Sequence, residues 1–498
     1  MSRNRLLARA AALTVLAACL PRLMAAQVGQ AEYAVRRATL TGRHGDGVYF
    51  IPGAPEPKEN YENFWQAQNF RYLTGFLEPG AALLIVRRDG HDRALLFVEP
   101  KDPAQEVWTG ERLGVEAVRG ATGMEGRDAG SLDTVLDSAL AGAAHLFVVG
   151  DYSASGADVP ALSTPRTRDD QFLDRLKVRH AGVAVTNATG TVMSLRARKS
   201  PAEVGLIRTA AKVSAAGHRE VLRNIKPGMN EFEVQALAEY AFRRNGGDRP
   251  SYGSIVGSGP NSTTLHYNRD DRFMQAGEVV NMDMATYYGG YSADITRTVP
   301  VNGKYSPEQR DVYAIVLAAL KAAERQIRPG GSYRALDDAA LDVLKTGLAR
   351  LGLIESPDAT YEENGRHVPQ YRLYYMHGLG HPIGLDVHDV DAYSGGSFIE
   401  GSAFTIEPGI YVRANTVDIV PATPANQAFR GRIAAAVAKY ANIGIRVEDD
   451  YVVTSTGFDR ISADVPREMD EIEREMAEPP GVSARDAATV EAYRRIRP

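Results

Sequence analysis

Asp283, Asp294, His381, Glu407 and Glu448 follow one another through the second half of the chain. They sit in the strings N-M-D-M-A-T-Y-Y-G-G-Y-S-A-D-I-T-R-T, H-G-L-G-H-P-I-G-L-D-V-H-D, F-T-I-E-P-G-I-Y-V and G-I-R-V-E-D-D. Four carboxylates and one imidazole make an oxygen-rich donor set for two divalent cations. Carboxylates favour manganese-like ions, and the imidazole argues against pure magnesium or calcium chemistry. Paired ions of this kind activate water, so the set points to a hydrolase working through a metal-bridging hydroxide.

The imidazole has company. His377, His381 and His388 fall within twelve residues, among Gly378, Gly380 and Gly384, and Pro382 excludes a continuous helix there. In such a cluster one histidine can ligate a metal while its neighbours contact substrate or move protons. His44, His91, His145, His180, His218 and His367 stand alone and read as structural or surface residues.

The elements that must position these groups are legible in outline. Asp283 ends one apolar strand and Asp294 begins the next, with Gly289 and Gly290 supplying the turn. The two aspartates are therefore expected opposite one another across a hairpin, with Cβ atoms roughly 5 Å apart. Pro408 and Gly409 stop a strand just after Glu407. Arg446 and Glu448, two apart on a strand over 444–453, share one face. Ser200, Pro201 and Glu203 spell a helix start, as do Asn230 and Glu233, and further helices are expected over about 306–327 and 333–352. Before this, residues 32–192 alternate short apolar strands (81–86, 94–98, 145–150) with helical patterns, as in a three-layer α/β domain. The chain thus divides into 32–192, 196–465 and a charged, helical tail over 466–498.

With 498 residues, 44% apolar and 24% charged, the chain has ample material for two or three domains. A net charge of −5 gives no electrostatic case for nucleic acid. Arg3, Arg5 and Arg9 precede an apolar run over 10–20, with small residues before a cut after Ala26, which fits a secretory signal over 1–26. The run is too short to span a membrane. The single cysteine, Cys19, follows Leu16-Ala17-Ala18, so a lipoprotein signal ending at 18 is the alternative. Export to a bacterial periplasm is expected, or anchoring to a membrane through Cys19.

Together these strings resemble the pita-bread metallopeptidases, and within them the aminopeptidase P family of Xaa-Pro aminopeptidases. The likeness runs from about 33 to 465. In the amino-terminal part it rests on F-R-Y-L-T-G-F-x-E-P at 70–79 and E-V-W-T-G-E-R-L-G at 106–114. It implies an α/β (α+β) fold, a creatinase-like amino-terminal domain followed by a pita-bread catalytic domain. It implies Asp283, Asp294, His381, Glu407 and Glu448 as ligands of two divalent ions, Mn²⁺ first and Co²⁺, Fe²⁺ or Zn²⁺ next. His266 and His388 would contact substrate or the developing oxyanion. His377 would lie beside the metals, Tyr252 and Arg446 would be accessory, and Glu407 would be general base and proton shuttle. In tetrameric relatives the position of Trp108 approaches a neighbour's active site, which implies a homo-oligomer and a substrate contact.

The activity implied is release of the first residue from proline-containing peptides with proline second. Cleavage of Xaa-Pro dipeptides alone, as by a prolidase, is the nearest alternative; a non-catalytic binding module would lack ligands that are all present here. The segment over 413–440 looks long for a bacterial relative. No H-E-x-x-H, G-x-S-x-G or P-loop string competes.

Overall fold

The computed structural model describes residues 28–59, 61–152, 167–390, 397–481, 488 and 491. The expected export signal, Cys19 and most of the last seventeen residues lie outside the described residues.

The amino-terminal domain is built on one mixed sheet. Its strands run in the order Glu125–Asp128, His91–Val98, Ala82–Arg88, Gly47–Pro52, His145–Val148 and Ala184–Asn187. The three central strands are antiparallel and the outer pairs parallel. Asp89 and Gly90 adopt positive φ in the tight turn that joins the central pair, where asparagine, aspartate and glycine are tolerated best. Side chains alternate across the sheet. Val48, Phe50, Leu84 and Phe97 pack toward the helices Leu132–Leu140 and Arg168–Arg179. Tyr49, Ile51, Leu83 and Leu96 join an apolar core that continues without a break into the second domain. The continuous apolar runs of these strands follow from burial on both faces.

The second domain begins at the helix Pro201–Asn224, whose capping box on Ser200 and Glu203 and first-turn proline are as expected. Asn230 and Glu233 cap Glu231–Arg244 in the same way. These helices and Pro307–Glu324 pack outside small, bent antiparallel sheets that surround a central cleft. One sheet holds Ile255–Ser258, Val279–Asp283 and Thr296–Pro300; others pair Ala403–Ile406 with Asp449–Val453 and Gly409–Val412 with Ile443–Arg446.

Two local expectations need correction. Asp283 pairs with Thr296, not Asp294. The Gly289–Gly290 turn closes a separate ribbon of Thr286–Tyr288 and Tyr291–Ser292, and Asp294 lies in the bend between the two ribbons. The single strand expected over 444–453 breaks at Val447 and Glu448, its halves joining different sheets. The charged stretch after 466 begins with a helix. The helix Met469–Met476 buries Ile472 and docks on Pro201–Asn224, with Glu475 facing Arg219 and Arg223 and Glu473 facing Lys304 and Arg310. Between Glu407 and Glu448, the helices Thr416–Ile419 and Gln427–Tyr440 account for the long segment, which packs through Phe429, Ile433 and Val437 and does not line the cleft.

Candidate active site

The four carboxylates and His381 converge from five places. Asp283 comes from the end of Val279–Asp283, and Asp294 is held by its own backbone N–H on Asp450 Oδ2 (3.1 Å). His381 sits in a loop that runs antiparallel to Ala403–Ile406: Thr405 N–H donates to the His381 carbonyl (2.9 Å) and Glu407 N–H to that of Leu379 (2.8 Å). Gly380 permits this approach, since a Cβ there would meet the Thr405 carbonyl oxygen at 2.2 Å. The result places His381 Nε2 3.3 Å from Asp294 Oδ2 and 3.6 Å from Glu407 Oε1. Asp294, His381 and Glu448 offer ligand atoms all within 4.8 Å of one another.

These five residues wall a cavity of about 270 Å³ together with Tyr252, His266, Asn268 and His388. Larger cavities lie elsewhere, one of about 750 Å³ beside the Ser200 helix start, but they carry no comparable set. Among the described residues this is the one cluster of three or more such side chains that could hold a metal ion.

The electrostatics of the cluster call for cations. Burial pushes the Glu407 carboxyl up to about 7, against the pull of His381 and Arg446. Burial and repulsion from Asp294, Glu407 and Asp283 hold Glu448 well above the usual carboxylate range. Burial raises Asp283 too, although Arg446 opposes it. Burial would also raise Asp294, but His381 and Tyr252 outweigh it and bring it below its ordinary value. Burial works against a charged His381, yet Asp294 and Glu407 lift it to about 9. The Tyr252 hydroxyl is 2.5 Å from Asp283 Oδ1 and 2.6 Å from Asp294 Oδ1, and one phenolic proton cannot serve both. A proton on His381 Nε2 occupies the direction a cation would take. Four converging carboxylates can all ionise here only with more positive charge than Arg446 and His381 supply, which is why Asp283, Glu407 and Glu448 are held above their ordinary values. Two divalent ions fit both the donor set and the charge.

A line of polar groups stands behind the carboxylates. Arg446 Nη2 donates to Asp283 Oδ2 (2.7 Å), its Nη1 to Tyr411 Oη (3.0 Å) and its Nε to Thr296 Oγ1 (3.2 Å). Thr296 Oγ1 in turn donates to Glu448 Oε2 (2.7 Å), so Arg446 and Glu448 do face one side despite the strand break. His377 Nε2 is 2.9 Å from Tyr411 Oη and its Nδ1 2.7 Å from the Gly378 carbonyl. The carbonyl requires a proton on Nδ1, so Nε2 accepts from the tyrosine. Burial holds His377 near 4, neutral, with Nδ1 4.0 Å from Glu407 Oε2. His266 and His388 line the cavity and His377 does not; the His388 ring lies 4.1 Å from that of His381.

Trp108 is not brought into this cavity. It lies on Pro103–Thr109 of the first domain, 70% exposed. Tyr411 and Thr296 were not singled out in the sequence. Thr296 follows Asp294 by two in D-I-T-R-T, and Tyr411 sits four after Glu407 in E-P-G-I-Y, where an aromatic reads as core.

Comparison with known proteins agrees with this geometry. Residues 205–455 match Metallopeptidase family M24, and residues 33–148 match Aminopeptidase P, N-terminal domain. The Xaa-Pro aminopeptidase of Haemophilus influenzae is 34% identical over 83% of this chain and 88% of its own. That of Escherichia coli is 33% identical over 90% and 98%. Among solved structures, Escherichia coli aminopeptidase P with the inhibitor Pro-Leu superposes with a TM-score of 0.77 at 30% identity, covering 90% of this chain and 98% of that one. Proline aminopeptidase P II from Yersinia pestis gives 0.76 at 32%, covering 90% and 100%. The chain belongs to metallopeptidase family M24, in its aminopeptidase P branch.

Proposed function

We propose that this protein is a metal-dependent aminopeptidase that releases the first residue from peptides with proline second. The observation that carries the reading is the convergence of Asp283, Asp294, His381, Glu407 and Glu448 on one cavity that also presents His266 and His388. The five would hold two divalent ions, with Mn²⁺ the first choice for a carboxylate-rich set with one imidazole. Such ions supply charge compensation, polarisation of the scissile carbonyl and an activated water. Glu407, in the cavity wall beside His381, accepts the proton released as water attacks the carbonyl of residue one. It then hands that proton to the proline nitrogen, which as a tertiary amide has none of its own. His266 and His388, in the cavity wall, stabilise charge on the carbonyl oxygen. Tyr252, bonded to Asp283 and Asp294, orients the ligand pair, and Arg446 with His377 supports it from behind.

The basic and apolar residues over 1–26 support export, with a lipid on Cys19 as the alternative. Among the described residues no helix is long and apolar enough to cross a membrane. Exposure of Trp108 supports a homo-oligomer in which it approaches a neighbouring site. Products of Arg-Pro-Pro and Gly-Pro, incubated with the Mn²⁺-loaded protein, test the substrate class. Release of arginine is expected; cleavage of Gly-Pro alone would replace the aminopeptidase reading with a prolidase.

A further inference from the structure

The loop over 382–389 carries His388 to the cavity, and much of what holds it comes from the first domain and the linker. Gln68 Nε2 donates to the Leu385 carbonyl (2.7 Å). Arg196, last residue of the helix Thr189–Arg196 and 4% exposed, reaches Asn69 Oδ1 (2.8 Å), Asp386 Oδ2 (2.6 Å) and Asp389 Oδ1. Lys199 Nζ donates to Asp389 Oδ2 at 2.8 Å, with both side chains 1% exposed. Gly384 lies against that pair: a Cβ there would come 2.1 Å from Asp389 Oδ2 and 2.9 Å from Lys199 Cε. The Asp389 N–H closes the loop onto the Pro382 carbonyl (2.9 Å), and the Gly384 carbonyl accepts from Ser292 N–H (2.7 Å), two residues before Asp294.

A buried carboxylate between two cations is tolerated only when every partner stays in register. Asp389 therefore pins the chain immediately beside His388 in one arrangement, and that arrangement is fixed by residues outside the catalytic loop. We propose that Arg196 is a positioning residue: acting through Asp389, it sets the place of His388 over the metal cluster and ties that place to the first domain through Asn69. This rests on the role given above to His388.

Arg196→Lys keeps the charge and loses the planar fork that reaches three acceptors. On Arg-Pro-Pro it should lower kcat/KM about 10- to 100-fold, mainly through kcat, with bound metal per chain unchanged. In a His388→Ala background the same change should cost less than about twofold, because the group it acts through is gone. Equal cost in both backgrounds would overturn the proposal, as would full activity of folded Arg196→Lys. Asp386→Asn is the second variant, its side chain 44% exposed and Asp389 left paired with Arg196 and Lys199. It should show the same non-additivity on a smaller scale, and additivity would count against the proposal equally. His388→Ala alone separates the two ideas. Full activity there would remove the role of His388 and this proposal with it, whereas additivity removes this proposal only.

Discussion

Arg446 Nη2 stands 2.7 Å from Asp283 Oδ2, and the arginine side chain is 3% exposed. The guanidinium is the main fixed positive charge set against the carboxylate cluster, and it also contacts Tyr411 and Thr296. Arg446→Met should weaken metal binding and lower kcat/KM, each by about 10- to 100-fold, as expected when a ligand loses its outer hydrogen-bond partner. Metal titration followed by calorimetry, with rates taken at saturating Mn²⁺, separates the two effects. Wild-type affinity in this variant would show that Arg446 does not support the ligand.

Tyr252→Phe removes the hydroxyl shared by Asp283 and Asp294 while keeping the ring. A loss of about tenfold in kcat/KM is expected when the ligand side chains lose the one charge-assisted hydrogen bond this hydroxyl can donate. Steady-state rates on Arg-Pro-Pro check it, and an unchanged rate would leave the tyrosine with a packing role.

Metal removal should destabilise the fold as well as stop the reaction, because four buried carboxylates lose their compensating charge. At 100 times its Kd, Mn²⁺ should stabilise the native protein by about 2.7 kcal/mol for each site. Scanning calorimetry of chelator-treated and reloaded protein reads this as a rise in Tm. Coincident transitions would argue against a cation in the cluster.

His218 gives a pH dependence separate from the metal ligands. It is fully buried, its Nε2 2.9 Å from the Met284 carbonyl behind the Asp283 strand, and burial, with Arg297 nearby, holds it at about 4. Below pH 6.5 the unfolded chain takes up a proton that the native state refuses until about pH 4. Stability from this group is therefore full above 6.5 and lost as pH falls toward 4, by on the order of 3 kcal/mol. Urea midpoints for wild type and His218→Gln at pH 7 and pH 4.5 should converge or cross as pH falls. A constant gap between them would contradict the assignment.

Legibility followed the range of the interactions. Ser200 and Asn230 were readable as caps because a capping box is complete within four residues. The central strands of the first domain were readable from their apolar runs over 81–86 and 94–98. The partner of Asp283 was missed although the turn encodes it: Tyr288 with Tyr291, Tyr287 with Ser292 and Asp283 with Thr296 lie in one register about Gly289-Gly290, and the expected midpoint was misplaced. The expected partner was off by two, Asp294 in place of Thr296, and what no local pattern encodes is the bend before Thr296, from which Asp294 reaches the cluster. Glu448 and Arg446 meet through Thr296, from another strand, which no local pattern encodes. Tyr411 was hidden for the opposite reason: on the apolar strand Gly409–Val412 its hydroxyl leaves no trace in the pattern.

The most direct test is product release from Arg-Pro-Pro by protein stripped of metal and then titrated with Mn²⁺. The account predicts no reaction without metal and release of free arginine that rises to a plateau near two ions per chain. It also predicts loss of that activity by at least about a thousandfold in Glu407→Gln, which removes the proton acceptor. Arginine release that is indifferent to metal, or none at all with two ions bound, would contradict it.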